Sequence, residues 1–85
     1  MNYSFRDQIQ KASVSIMNNI AEGFERQTNK EFKQFLYIAK GSSAEVRSML
    51  YLAEELDMIS KDEFKDLYKL STEISKILSG LIKTL

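Results

Sequence analysis

Apolar positions recur every three or four residues through most of this chain, which predicts α-helices. The longest run has alternating separations of three and four positions: Phe32, Phe35, Ala39, Ser42, Val46, Met49, Ala53 and Leu56. A second run repeats the alternation to the end of the chain: Phe64, Leu67, Ser71, Ile74, Leu78, Leu81 and Leu85. A shorter upstream run has Ile9, Ala12, Ile16 and Ile20 on one face, and Phe5, Val14, Met17 and Ala21 on a neighbouring face.

Capping signals place the ends of these helices. Thr28 and Ser60 each stand three residues before a glutamate, Glu31 and Glu63, which is the capping-box spacing at a helix start. Gly23 is suited to close the first helix as its C-cap. The pattern predicts helices over about 4–22, 29–56 and 61–85. Because both links are short, we expect an all-α, antiparallel up-down bundle of three helices forming a single domain, 1–85.

The predicted helices carry more apolar surface than three helices can cover. On the long helix the main stripe is widened by Leu36, Ser43 and Leu50, and further apolar side chains lie off it: Tyr37, Ile38, Tyr51 and Leu52. An exposed apolar surface indicates a partner, most often another copy. Small residues midway along the helix either admit a neighbouring backbone or accommodate large side chains opposite: Ala39, Gly41, Ser42, Ser43 and Ala44.

Composition argues against catalysis. The 85 residues include no histidine and no cysteine, which removes the usual general base, the thiol nucleophile and the commonest metal ligands. We therefore expect no enzyme activity, no cofactor and no metal site. The chain has no apolar run of about 18 residues that could span a membrane and no secretory leader pattern. A cytoplasmic protein without a membrane partner is the expectation.

Formal charge is balanced, with 12 basic and 12 acidic residues, so nucleic-acid binding would need a local basic patch. The candidates share helical spacing: Arg26, Lys30, Lys33 and Lys40, with Tyr37 beside them to stack on a base. An ordinary solvated face is the alternative. Glu22 and Glu45 are either ligands or acids that contact RNA, or they belong to a buried polar network in which Asn19, Glu22 or Glu45 pairs with Arg26 or Arg47.

Several segments resemble a known bacterial family. They are Ala12–Ile16, Asn19–Gly23, Arg26, Asn29–Phe32 with Phe35-Leu36, Ala39, Gly41-Ser42, Glu45 and Leu78–Lys83. In these the chain resembles the four helix bundle proteins first noticed in intervening sequences of large-subunit ribosomal RNA genes, a family related to accessory proteins of diversity-generating retroelements. The residues that carry the family motif, and for which the resemblance implies structural roles, are Asn19, Glu22, Gly23, Arg26, Glu31, Phe32, Gly41, Ser42 and Glu45.

The resemblance implies an antiparallel four-helix bundle, of which this chain lacks the first helix, and assembly as a homo-oligomer between dimer and pentamer. It also implies RNA, or a nucleic-acid-associated protein, as a partner, and no catalysis. Members of the family often carry proline where Met17 stands, so we expect a straighter helix here. The sequence therefore predicts a non-enzymatic, self-associating helical module that binds structured RNA. The alternative is a protein-interaction scaffold without nucleic-acid binding.

Overall fold

The chain folds into three α-helices. A computed structural model describes residues 3–85, and places α1 at Tyr3–Phe24, α2 at Asn29–Glu55 and α3 at Lys61–Thr84. Met1 and Asn2, the first residues of the predicted 1–85 domain, lie outside the described residues. The predicted helices differ from these bounds by at most two residues at any end, and the expected all-α up-down architecture is confirmed.

Side-chain caps begin α2 and α3. The Ser60 hydroxyl accepts from the Glu63 main-chain N–H at 3.0 Å, and the Ser60 N–H donates to the Glu63 carboxylate at 2.9 Å, which completes the predicted capping box. At α2 only half of the box forms. Thr28 Oγ1 accepts from the Glu31 N–H at 3.2 Å, but the Glu31 carboxylate accepts from the Thr28 hydroxyl.

The helix ends differ from expectation at Gly23 and Asp57. Gly23 does not act as a C-cap, because α1 continues through it to Phe24 and no glycine of residues 3–85 has a positive φ. Asp57 has a left-handed φ of 56° after α2. There the Met58 N–H donates to the Ala53 carbonyl at 2.8 Å and the Asp57 N–H to the Glu54 carbonyl at 3.1 Å, which is a Schellman motif.

The helices form an open array with α2 in the middle. α1 and α3 both pack against α2, but within residues 3–85 no Cα atom of α1 lies within 8 Å of a Cα atom of α3. The Cα trace measures 44 × 23 × 13 Å, and its 23 Å width exceeds the roughly 14 Å of three parallel helices in a closed triangle. The arrangement matches three corners of a square, so one side of the core faces outward between α1 and α3.

The core lies where all three helices meet. Its buried members are Leu36 and Ala39 of α2 with Leu78 and Ile82 of α3. Partly buried side chains surround it: Ile16, Ile20, Phe32, Ile74, Leu81 and Leu85. Leu36, Ser43 and Leu50 are buried as well as Ala39 and Ala53 of the main stripe, although the sequence suggested the first three only as its flank. Because α2 has a neighbour on each side, its buried arc is wider than the single stripe suggests.

None of the helices in the described part of the chain is both long and apolar enough to cross a membrane.

Candidate functional site

The uncovered side of the core, between α1 and α3, is the first candidate interaction surface, and we call it the open face. Ile20 of α1 and Ile74 of α3 border the core and are partly buried. Residues three, four or seven positions away lie on the same side of a helix. The open face therefore continues from Ile20 and Ile74 to the exposed side chains Met17, Phe24, Leu67, Leu70 and Ile77.

These side chains are unusually exposed for their size. Phe24 is 72% exposed, Ile77 69% and Met17 62%. A shallow depression of about 470 Å³ on the α1 side is lined mainly by apolar residues: Met17, Ile20, Ala21, Phe24 and Glu25. Large apolar side chains exposed together in this way are typical of a contact site.

Three further apolar side chains lie on the outer side of α2, away from the open face: Ile38, Leu52 and Leu56. Leu52 follows the buried Leu50 by two residues, and so points to the opposite side of the helix. The expected exposure of Ile38, Leu52, Tyr37 and Tyr51 is confirmed, since each is about half exposed. These positions are spread out, with the exposed Glu45 between Ile38 and Leu52.

Midway along α2, hydroxyl groups join it to both neighbours. Ser42 Oγ lies 2.9 Å from Ser15 Oγ of α1, and Ser43 Oγ lies 3.2 Å from Ser71 Oγ of α3. Two serine side chains are short enough that these bonds require close helix backbones. The small buried residues of this stretch thus accommodate neighbouring helices, which decides between the two interpretations of the pattern. Gly41 and Ala44, by contrast, are exposed.

Arg47 extends this polar layer between α2 and α3. Its Nη1 donates to Ser75 Oγ at 2.6 Å, to Ser43 Oγ at 3.2 Å, and to both the carbonyl and the hydroxyl of Ser71 at 3.3 Å. All these acceptors are uncharged. Within residues 3–85 the only ion pairs are Lys11–Asp7 and Arg26–Glu22, so the half-buried Arg47 has no carboxylate beside it. The predicted pairing of Arg47 with Glu45 does not form.

The predicted basic residues separate into two places. Lys30, Lys33, Tyr37 and Lys40 share one side of α2, as their spacing requires. Arg26 does not share that face, because it lies in the link before α2 rather than on a helix. Its guanidinium pairs with Glu22 and stacks over the Phe35 ring at 4.8 Å from the ring centre.

Arg47 continues the row of cations on α2, since Lys33, Lys40 and Arg47 follow one another at intervals of seven residues. Seven residues are close to two helical turns, about 10.5 Å. α3 carries a parallel row with the same interval, Lys69, Lys76 and Lys83. Arg47 of α2 and two lysines of the α3 row share a cleft of about 470 Å³, whose wall contains no acidic residue: Arg47, Tyr68, Thr72, Ser75, Lys76, Ser79, Gly80 and Lys83.

An aromatic cluster closes one end of this cleft. The ring of Tyr68 packs against the rings of Tyr51 and Phe64, with both pairs of centroids 5.4 Å apart. The Tyr68 side chain, through a hydrogen bond and its charge, raises the pKa of the Tyr51 phenol. The cluster holds α2 and α3 together at this level and leaves the hydroxyl-bearing Thr72 and Ser75 beside Arg47.

The remaining motif residues are divided between those with structural contacts and those at the surface. Asn19 Nδ2 donates to the Ser15 carbonyl at 2.8 Å, and Phe32 packs edge-on against Phe24. The pair between Glu22 and Arg26 forms, but at the surface rather than in a buried network, and Glu45 is exposed. Gly41 has open space where a Cβ would stand. No group of three or more acidic, histidine or cysteine side chains in the described residues is placed to hold a metal ion.

Sequence reasoning missed Arg47, Lys76 and Lys83 as members of a site. The signal available was the seven-residue interval of the two rows, Lys33, Lys40 and Arg47 on α2 and Lys69, Lys76 and Lys83 on α3. That interval places each row on one helix face, but only the packing of α3 against α2 brings Arg47 of one row into the same cleft as Lys76 and Lys83 of the other.

Comparison with known proteins gives two similarities. The model of the 23S rRNA-intervening sequence protein family matches residues 1–80. The fold is similar to the crystal structure of a protein of unknown function from the S23 ribosomal protein family of Bacteroides thetaiotaomicron. The TM-score is 0.92 at 29% sequence identity, over 96% of this chain and 76% of that one. No curated protein matches the sequence.

Proposed function

The chain belongs to the 23S rRNA-intervening sequence protein family, and we propose that it is a non-catalytic helical module that works by packing its open face against other copies of itself. The observation that carries this proposal is the uncovered side of the core. Ile20 and Ile74 border that core, and the next apolar side chains outward, Met17, Leu70 and Ile77, are more than half exposed.

The energetics favour covering this face. Full burial of a side chain such as leucine, isoleucine or methionine stabilises by about 1.5–3 kcal/mol. Five such side chains on one face, each partly exposed, supply a driving force comparable to the whole stability of a small domain. The formal net charge of zero favours copies of this chain as the occupant, since no overall charge repulsion opposes their approach.

Sedimentation velocity on the purified chain tests self-association, with a matched pair of leucine variants. Leu70 on the open face is 54% exposed and Leu52 on the outer side of α2 is 48% exposed. We expect the wild type to sediment as an oligomer, Leu70→Glu to sediment as a single chain, and Leu52→Glu to remain associated. A wild type that stays a single chain at high concentration would refute the proposal. Dissociation by Leu52→Glu alone would place the contact on the outer side of α2.

RNA binding is a second candidate function, which the basic residues between α2 and α3 favour. Lys33, Lys40 and Arg47 form a row on α2, and Arg47 lines the same cleft as Lys76 and Lys83 of α3. Rows of cations at intervals of about 10.5 Å suit a polyanion better than a single small anion. The name of the family, which refers to ribosomal RNA, supports the same class of ligand.

The salt dependence of RNA binding distinguishes this candidate from a protein scaffold that has no affinity for nucleic acid. In a gel-shift series with a structured RNA, we expect binding at low salt that weakens steeply as salt rises. The variant Lys33→Glu with Lys40→Glu should abolish the shift while the oligomer persists. Absence of any shift at low salt, with the oligomer intact, would leave the protein scaffold as the function.

A further inference from the structure

Arg47 has an incomplete set of partners for a guanidinium that is half withdrawn from water. All its hydrogen bonds run from Nη1 to serine oxygens, so Nε and Nη2 have no partner among the described residues. Ser43 is fully buried and Ser71 is 5% exposed, which fixes the position of the side chain. A cation held in place by neutral acceptors keeps its full charge, and its two free donor groups suit an oxyanion.

The surroundings of Arg47 supply what an oxyanion needs. Lys76 and Lys83 line the same cleft, and the hydroxyl groups of Thr72 and Ser79 add further donors. Neither lysine takes part in an ion pair within residues 3–85. Hydrogen bonds from charged donors to phosphate are shorter and stronger than those between neutral groups, so three cations around one cleft favour phosphate over a neutral ligand.

The distribution of charge along the molecule points the same way. Six of the twelve acidic residues fall between positions 54 and 66, around the turn that joins α2 to α3: Glu54, Glu55, Asp57, Asp62, Glu63 and Asp66. Beyond that turn α2 and α3 carry the two cation rows and three acidic residues, Glu31, Glu45 and Glu73. A molecule without net charge thus has a positive balance of charge on these parts of α2 and α3.

From these observations we infer that the α2–α3 cleft is a phosphate-binding site, in which Arg47, Lys76 and Lys83 together receive a backbone phosphate of RNA. Arg47 is the fixed donor, and the two lysines, on flexible stems, adjust to the neighbouring phosphates of the strand. This inference rests on RNA binding as the candidate function and names the residues that would carry it. The rows on α2 and α3 then guide the strand along the groove toward Lys33.

Fluorescence anisotropy with a labelled RNA hairpin tests the inference, using charge-matched variants in the intact oligomer. We expect Arg47→Gln to weaken binding roughly tenfold, as loss of a charge-assisted hydrogen bond to phosphate does. Lys76→Gln and Lys83→Gln should each lower the slope of log affinity against log salt by about one. The control Lys65→Gln removes the same charge from α3 outside the cleft and should change the affinity less than about twofold.

Each result has a defined consequence. Circular dichroism melting first establishes that Arg47→Gln folds, and if it does not, the double variant Lys76→Gln with Lys83→Gln carries the test, because neither lysine has a hydrogen bond in the described structure. If the wild type binds RNA and these variants bind it equally well, the cleft is not the phosphate-binding site, although RNA binding remains a function of the chain. No RNA binding by the wild type would overturn both. Competition by poly-glutamate as effective as by RNA would overturn phosphate recognition, since it would show that charge alone suffices.

Discussion

At the scale of single residues, Gly23 sets how closely α1 approaches α2. A Cβ atom built on Gly23 would lie 2.7 Å from the Cβ of Phe35 and 2.9 Å from Cδ1 of Phe32. The Phe35 Cβ is attached directly to the backbone of α2, so it cannot move without moving that helix. The absence of a side chain at position 23 thus permits the contact between the end of α1 and the start of α2.

Gly23→Ala should therefore destabilise the chain, although alanine is otherwise the better helix former. Overpacking of this kind costs about 1–3 kcal/mol, more than the roughly 0.5–1 kcal/mol that alanine gains over glycine inside a helix. Urea denaturation followed by circular dichroism measures the change. Gly41→Ala is the control, since its Cβ would meet nothing within 4 Å and the substitution should stabilise. Equal stabilisation by both substitutions would show that α1 and α2 do not meet at Gly23.

Asp57 offers the opposite case, a side chain where glycine is preferred. It occupies the left-handed region with φ 56° at the C′ position of the Schellman motif, a conformation that costs a residue with a Cβ about 1–2 kcal/mol. We expect Asp57→Gly to raise the free energy of unfolding by roughly 1 kcal/mol, and Asp57→Val to lower it. Urea titration of the two variants would reveal the order, and a reversed order would contradict the strained geometry.

At the scale of elements, α3 depends on its start. The capping box satisfies main-chain N–H groups of Ser60 and Glu63 that would otherwise have no partner in the helix. Two hydrogen bonds with Ser60 lower the pKa of the Glu63 carboxyl group. The bond from the Ser60 main chain has the larger effect, and the bond with its side chain the smaller. Asp62 and Glu63 also place negative charge at the positive end of the helix.

The lowered pKa of Glu63 gives this cap a pH dependence of known sign. Because the ionised form is favoured in the folded chain, the stabilisation is complete above the ordinary glutamate pKa and disappears as pH falls through the lowered value. Thermal melts between pH 7 and pH 2 should show Glu63→Gln losing less stability on acidification than the wild type. Asp66→Asn, which changes a carboxyl group of α3 outside the capping box, is the control. Identical pH profiles of Glu63→Gln and the wild type would contradict the assignment.

At the scale of the whole molecule, the array of three helices has a core open on one side. No Cα atom of α1 lies within 8 Å of one of α3 in the described residues, and the Cα trace is 23 Å wide. Ordering the chain costs on the order of 1.5 kcal/mol per residue, which a core of this size barely offsets. A second copy on the open face would add apolar burial without ordering any further segment of the first.

The stability of the chain should consequently depend on its concentration. Association that occurs only in the folded state raises the melting temperature as protein concentration increases. We expect the melting temperature of the wild type to fall on hundredfold dilution, and that of Leu70→Glu to be lower and independent of concentration. Differential scanning fluorimetry over this range measures both. A wild-type melting temperature that does not change with dilution would show that the open face is stable without a partner.

The alternation of apolar positions and the two capping signals determined the number of helices, their limits within two residues and their up-down order. These features are local, since a hydrophobic period and a capping side chain act within a few residues of themselves. The exposure of Ile38, Tyr37, Tyr51 and Leu52 was also predictable, because these positions lie off the apolar stripe. The resemblance over Asn19–Gly23 and Asn29–Phe32 indicated the family before the comparison showed it.

Only the tertiary structure decided which faces meet. The importance of Gly23 comes from its short distance to Phe35 of α2. Arg47 is held by serines of α3. Arg26 lies in a link rather than on a helix, and pairs there with Glu22. The meeting of Arg47 with Lys76 and Lys83 in one cleft likewise depends on the packing of α3 against α2. The physical reason is that a helical period gives the direction of each side chain around its own axis, whereas the distance between side chains on different helices depends on how the axes pack.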